Sequence, residues 1–279
     1  AENGNIRRVT QKEVGGSGMK IVVCMKRVPN TTEIKIDPVT KTLKRDEVAN
    51  IINPDDKTAI EAALRLKDRY GAKVTAVSMG AMTTEPWMRE ALAMGVDEAV
   101  LVSDMAFAGS DTLATSTIMS KVLERTGYDV IICGRQSIDG DTAQVGPQIA
   151  ELLGLPQVTY AVDFEYDESQ ETFKVKRLFE DRYQWLEVKG KFLMTVMSTL
   201  AKPRYMNVWD IVDQDNKEIT VISNKELGLG PEVIGLNGSP TKVRSTATKE
   251  LNTAKELVET DPDEAAAIIV KVLAEKHLI

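Results

Sequence analysis

The stretch DVIICGRQSIDGDTAQVGPQIAELLGLP, residues 129–156, reads as strand, glycine-bearing turn and helix in direct succession. Asp129–Cys133 is a short, continuous apolar run that stops at Gly134, the mark of a strand buried on both faces. A helix is expected from about Ala143 to Leu153, ended by Gly154 and Pro156. The same grammar extends upstream. Strands are expected at Lys20–Met25, Val74–Met79 and Ala99–Val102. Helices are expected from Pro54, with Asn53 as its N-cap, to about Tyr70, over about Glu85–Met94, and over Asp111–Arg125. Continuous rather than alternating apolar strands, interleaved with helices, imply an α/β fold: a parallel twisted sheet covered by helices on both faces.

The pattern changes after Thr159. Val162–Tyr166, Thr172–Leu178 and Tyr183–Val188 alternate apolar and polar residues and read as an antiparallel β extension, followed by a buried strand at Phe192–Met197. Residues 203–235 lack clear periodicity. Residues 239–260 read as an extended arm leading to a last helix capped by Asp261, with Ala265, Ile268, Ile269, Val272 and Leu273 as its apolar face. The first 18 residues, with their Gly15-Gly16-Ser17-Gly18 run, read as a tag or linker ahead of Met19. The expected organisation is therefore 1–18 as tag or linker, 19–238 as a nucleotide-binding α/β domain, and 239–279 as a C-terminal arm and helix.

Composition removes several kinds of chemistry. The chain has 279 residues, 35 Lys+Arg against 42 Asp+Glu, a net charge of −7, one His and two Cys. The histidine is His277, near the end of the chain, so neither a His-based metal site nor a Ser-His-Asp triad fits its body, and no metal ligands are expected. Cys24 and Cys133 form no CxxC pair and sit in apolar strands, where a thiol is usually core filling. That usage suits a reducing, cytoplasmic setting. The acidic balance speaks against a nucleic-acid binder, and no apolar stretch has the length of a membrane span. With no catalytic side chain in evidence, demanding chemistry would have to come from a cofactor.

In an open parallel sheet ligands lie beyond the carboxyl ends of the strands. Loops starting at Lys26, Gly80, Ser103 and Gly134 therefore qualify. The last is the most informative. Gly134 and Gly140 allow close backbone approach, Asp141 and Thr142 are placed to cap the following helix, and Arg135 adds a fork of donors. Neither GxxxxGK[ST] nor GxGxxG is present, so the loop admits two readings: a phosphate cradle, or a plain glycine-bearing turn. Asp111-Thr112 can cap a helix, offer groups to a ligand, or both.

The chain resembles the small (beta) subunit of electron-transfer flavoproteins, and most closely the bifurcating type of anaerobic bacteria. KIVVCMKRVP at 20–29, IDP at 36–38, NP at 53–54, REALAMGVDEAVLV at 89–102, DVIICGRQSIDGDTAQVGPQIAELLGLPQVTY at 129–160 and PRYMNV at 203–208 carry the likeness, which covers nearly everything from Met19 onward. The resemblance implies a heterodimer with a larger alpha subunit, and a nucleotide held by this chain: structural AMP in the housekeeping branch, FAD in the bifurcating branch. There the FAD takes hydride from NADH and divides the electrons between ferredoxin or flavodoxin and the alpha-subunit FAD, which feeds an acyl-CoA or related dehydrogenase. Whether the chain is to be called an enzyme in its own right stays open.

Carried over by position, the cofactor contacts fall on Cys24, Lys26, Val28, Pro29, Asn53, Met79 and Gly80; Asp111 and Thr112 join the candidate set from the reading of their own segment. The pyrophosphate contacts fall on Gly134, Arg135, Gln136, Ser137, Gly140, Asp141, Thr142, Ala143, Gln144 and Val145. Where the AMP-holding branch carries IDDDCNQTGQ, this chain has IDGDTAQVGP; the loss of an acidic side chain at Gly140, with Val28-Pro29-Asn30-Thr31, favours FAD over AMP. The dehydrogenase-docking segment of the family falls on Pro203, Arg204, Tyr205, Val208 and Trp209, with Val208 as the apolar anchor. The lysine-rich stretch that follows it in the housekeeping branch is DIVDQDNKE here, which bears on which partner docks. An alternative from another class is a stand-alone ATP-hydrolysing or stress-type nucleotide binder on a similar sheet.

Overall fold

The protein is described by a computed structural model covering residues 7–10, 18–30, 49–242 and 259–279. The expected IDP segment, Thr31 and most of the extended arm lie outside these residues. The chain divides into two compact units, 1–242 and 243–279.

The first unit is built on one ten-stranded sheet. Its parallel part holds β2 (Lys20–Cys24), β5 (Lys73–Met79), β6 (Glu98–Val102), β7 (Val130–Gly134), β11 (Phe192–Val196) and β12 (Ile219–Ile222). The antiparallel extension is β8 (Gln157–Asp167), β9 (Thr172–Phe179) and β10 (Arg182–Lys189), with β1 (Arg7–Thr10) pairing in parallel at its outer edge. The strand order is β1-β10-β9-β8-β11-β7-β2-β5-β6-β12. From β2 the chain winds through β5 to β6, then returns to lay β7 on the other flank of β2. The direction of winding therefore reverses between β2 and β7.

Both faces are covered because the strands are apolar on both. Ile21 and Val23 face a core formed with α1 (Pro54–Tyr70) and α2 (Glu85–Ala93), while Val22 and Ile131 face α3 (Thr112–Thr126) and α4 (Val145–Leu152). Helix α1 follows its sequence signals: Pro54 opens it, and Gly71 closes it in the left-handed region at φ 68°. The extension is stapled to α1 by an aromatic chain. Tyr70 meets Tyr166 edge-on at 5.0 Å, Tyr166 meets Phe173 at 4.6 Å, and Phe173 meets the fully buried Phe192 at 5.1 Å.

Four details differ from the sequence reading. Arg7–Thr10, inside the stretch expected to be tag or linker, forms β1 and pairs with β10. β8 begins at Gln157, before its alternating stretch, because its first residues pair in parallel with β11 and only the later ones pair with β9. Arg27–Pro29 (β3) pairs antiparallel with Asn50–Ile52 (β4), where only a loop was expected. The aperiodic region 203–235 contains short elements, among them α5 (Val208–Asp213), α6 (Asn224–Leu227) and β12. α7 (Gly235–Gly238) follows, and buried Ser239 accepts the Asp111 backbone N–H at 2.8 Å. The second unit contains α8 (Pro262–Glu275), capped by Asp261, whose carboxylate accepts the N–H groups of Asp263 and Glu264. Among the described residues no helix is long and apolar enough to cross a membrane.

Candidate functional site

At the reversal point the last residues of β2 and β7 stand opposite each other, Cys24 beside Cys133. Just beyond them, the first turn of α1 delivers Asp56 into the gap. One oxygen of this buried carboxylate accepts the Lys26 backbone N–H at 2.8 Å and the other accepts the Gly134 N–H at 3.1 Å. A single side chain thus ties the end of β2 to the end of β7. The approach requires glycine: a Cβ at Gly134 would lie 2.8 Å from the backbone carbon of Asp55 and would overlap the Asp56 carboxylate. Burial pushes the Asp56 carboxyl up to about 7, against the pull of its hydrogen bonds from Lys26, Asn53 and Gly134.

Asn53 fixes the loop that follows. Its position is the N-cap of α1, but its side chain makes no cap bond. Its Nδ2 donates to the Gln136 carbonyl at 2.8 Å and its Oδ1 accepts the Ile138 N–H at 3.1 Å. Lys26 Nζ reaches across to Asp139 at 2.8 Å and Ser137 Oγ at 3.3 Å. Partial burial would raise the Asp139 carboxyl, but the bonds from Lys26 and Ser137 hold it below its ordinary value. Arg135 turns toward α1, its Nε 3.5 Å from Asp55 Oδ2.

Beyond Gly140 the backbone takes left-handed φ at two non-glycine residues, Asp141 (49°) and Ala143 (53°). Such residues cost about 1 kcal/mol or more each and concentrate at functional sites. The expected capping by Asp141 and Thr142 is corrected accordingly: α4 starts at Val145, and Asp141 instead accepts a bond from Gln136 Nε2 at 2.7 Å. Gln144 occupies the N-cap without a side-chain cap bond, its Oε1 accepting from Thr112 Oγ1 at 2.9 Å. The start of α4 therefore presents backbone N–H groups that no side chain caps, after a left-handed to right-handed alternation of the kind that can form a concavity for an anion. Gly146 brings this helix end down onto β11; a Cβ there would lie 2.7 Å from Thr195 Cγ2.

These elements enclose a cleft of about 380 Å³, within the range of small-ligand and cofactor sites, roughly 300–1,000 Å³. Its floor is apolar and sulfur-rich, with Cys24, Cys133, Met79 and Met119; hydrogen bonding with Cys24 and burial push the Cys133 thiol well up. Of the sequence candidates, Cys24, Lys26, Met79, Asp111, Thr112, Gly134–Ser137, Gly140 and Thr142–Val145 line it. Asn53 and Asp141 do not line it. Gly80 lies beside Met79 with its N–H on Val102, while Val28 is buried in β3 and Pro29 is exposed there, away from the lining. Sequence reasoning missed Met25, Asp56, Ser110, Thr115, Met119, Cys133 and Gly146 as lining residues. Only the close spacing of Asn53-Pro54-Asp55-Asp56 carried a signal, and it reads equally well as an acidic first turn.

A separate feature lies at the end of α2. Tyr205, Val208 and Trp209 are 89%, 70% and 79% exposed, and α5 has no buried residue. Pro203 is half-buried. Arg204 turns inward onto Glu61 and Asp68 of α1.

Residues 40–227 match the electron transfer flavoprotein domain. The chain is 49% identical over 261 residues to the electron transfer flavoprotein subunit beta of Clostridium acetobutylicum, covering 94% of this chain and 100% of that one. It is 44% identical over 264 residues to the caffeyl-CoA reductase-Etf complex subunit CarD of Acetobacterium woodii, and 43% identical over 270 residues to the acryloyl-CoA reductase electron transfer subunit gamma of Anaerotignum propionicum. Each covers 94% of this chain and 100% of the relative.

The Asp56 clamp sets a pH dependence. In the folded chain Asp56 keeps its proton to about pH 7, whereas its ordinary value is 3.8. Between these limits the folded state binds more protons than the unfolded state, so this group's contribution to stability falls as pH rises from about 4 to about 7. Urea-denaturation midpoints measured across that range are expected to fall less steeply in Asp56→Asn than in the native chain. Equal slopes would contradict the assignment.

Proposed function

The chain belongs to the electron transfer flavoprotein family as a beta-type subunit, and from that premise we propose that its cleft between β2 and β7 holds FAD in a bifurcating complex with an alpha subunit. The carrying observation is the uncapped start of α4, facing the cleft across the strained Asp141–Ala143 turn. Backbone N–H groups at Ala143–Gly146 would hold phosphates, with Ser137, Thr142 and Gln144 as polar neighbours on the lining. When bound, FAD supplies hydride uptake from NADH and one-electron delivery to ferredoxin or flavodoxin and to the alpha-subunit FAD.

This chain's own residues bind, orient and exclude water. The thioether and thiol floor keeps the base of the cleft dry, and no side chain there need act as general acid or base. Gly140 supports FAD over AMP. Asp139 and Asp141 already flank this position, and an acidic side chain at 140 would add a third negative charge beside a dinucleotide's phosphates. The exposed Tyr205–Trp209 surface is read as the docking site for an acyl-CoA or related dehydrogenase. Two relatives are named as subunits of caffeyl-CoA and acryloyl-CoA reductase systems, which supports that partner class. The 243–279 unit, whose helix α8 exposes Ile269 and Val272, is read as an arm that grips the alpha subunit.

Denaturing the purified heterodimer and separating the released nucleotides tests the cofactor. Two FAD per heterodimer and no AMP are expected; one FAD with one AMP would replace this reading with that of a conventional electron carrier. Ending the chain after Lys242 keeps the Ser239 and Thr241 bonds to Asp111. Co-purification of the alpha subunit with this shortened chain is expected to be lost, and retained heterodimer would refute the role of the arm.

A further inference from the structure

The docking helix α5 has no buried residue, so apolar packing of its own side chains into the core cannot fix its place. Polar clamps hold the two ends of its segment. At the N-terminal end, buried Glu61 accepts from Arg204 three times: the backbone N–H at 3.1 Å, Nε at 2.8 Å and Nη2 at 3.2 Å. Asp68 takes a further bond from Arg204 Nη2 at 2.7 Å. At the C-terminal end, Arg89 of α2 donates through Nη1 to the carbonyls of Gln214 (2.6 Å) and Lys217 (2.7 Å), while Glu85 holds its other nitrogens. Glu61 and Asp68 lie on α1 and Arg89 and Glu85 on α2, two helices rooted in the same core cluster.

We infer that Glu61–Arg204 and Arg89 are positioning residues for dehydrogenase docking: they strap the segment 204–217 to α1 and α2, so that Tyr205, Val208 and Trp209 are presented on a fixed base. This rests on the docking reading above. It also changes the role of Arg204, whose guanidinium is spent on carboxylates of its own chain and is not offered to a partner. A rigid base matters because every side chain or loop that must be ordered on binding reduces affinity.

The test uses the complete heterodimer with a purified bacterial short-chain acyl-CoA dehydrogenase as acceptor. KM for the dehydrogenase and kcat are compared for the native protein, Glu61→Gln, Arg89→Gln, Arg204→Lys and, as the docking control, Val208→Asp. Glu61→Gln and Arg89→Gln are each expected to raise KM about tenfold, the size of one lost charge-assisted hydrogen bond, with kcat at saturation little changed. Arg204→Lys, which keeps the charge but loses the fork, should fall between them and the native protein. Amide exchange over 205–216 should quicken in the clamp variants, a change that loss of a direct partner contact would not produce. If Glu61→Gln does not fold, Asp68→Asn on the exposed side of the same clamp is expected to show a smaller rise in KM. A raised KM in Val208→Asp with native KM in the clamp variants overturns the positioning role alone; native KM in Val208→Asp overturns the docking reading itself.

Discussion

Asp56 accepts backbone N–H groups from the ends of β2 and β7 at the same time, and the geometry of the cleft depends on that bridge. A parallel sheet that reverses its winding leaves a crevice beyond the carboxyl ends of the two strands at the reversal. Here a buried carboxylate at the start of α1 spans it. Burial opposes its ionisation, and two backbone hydrogen bonds oppose the burial penalty, so the group is costly to keep and sensitive to what lies beside it. Gly134 permits the contact because no Cβ intrudes, and Asn53 carries the same scaffold one step outward by pinning Gln136 and Ile138. The loop that lines the cleft is thereby placed by α1, on the opposite face of the sheet from α3 and α4.

A site made in this way has little use for catalytic side chains. The groups proposed to hold phosphates are backbone N–H donors at the start of α4, beside two strained non-glycine residues, over a floor of sulfur and methyl groups. Hydroxyls and amides from Thr112, Ser116, Gln144 and Gln148 link α3 to α4 at the side of the cleft, so the walls are joined to each other as well as to the sheet. Such an arrangement suits a group that brings its own redox chemistry and needs to be held and kept dry. The scarcity of histidine agrees with that economy, and Cys24 and Cys133, brought side by side by the strand pairing, serve as part of the apolar floor.

Much of the fold was legible in the sequence for simple reasons. β2, β5 and β7 are continuous apolar runs, and α1 and α3 carry their own start signals in Pro54 and Asp111. What could not be read depends on tertiary contacts or on unusual dihedrals. Asn53 has the residue type of a cap, yet its amide is drawn to a loop more than eighty residues away. Asp141 and Thr142 look like caps, but positive φ at Asp141 and Ala143 delays the helix to Val145; Asp tolerates that region better than most residues, yet nothing in Ala143 announces it. Thr115 and Met119 read as ordinary helix positions because only the packing of α3 beside the cleft turns them toward it. Arg204 stood in a recognisable motif, but its partners Glu61 and Asp68 lie on a helix far away in the chain, so its inward turn was invisible.

Under the proposed function, the cleft at the ends of β2 and β7 holds this chain's nucleotide. The most direct measurement is a crystal structure of the alpha–beta complex purified with its cofactors bound. Density for a nucleotide is expected in this cleft, with phosphate oxygens within hydrogen-bond distance of the backbone N–H groups at Ala143–Gly146. A cleft holding only solvent, with every nucleotide of the complex bound elsewhere, would contradict it.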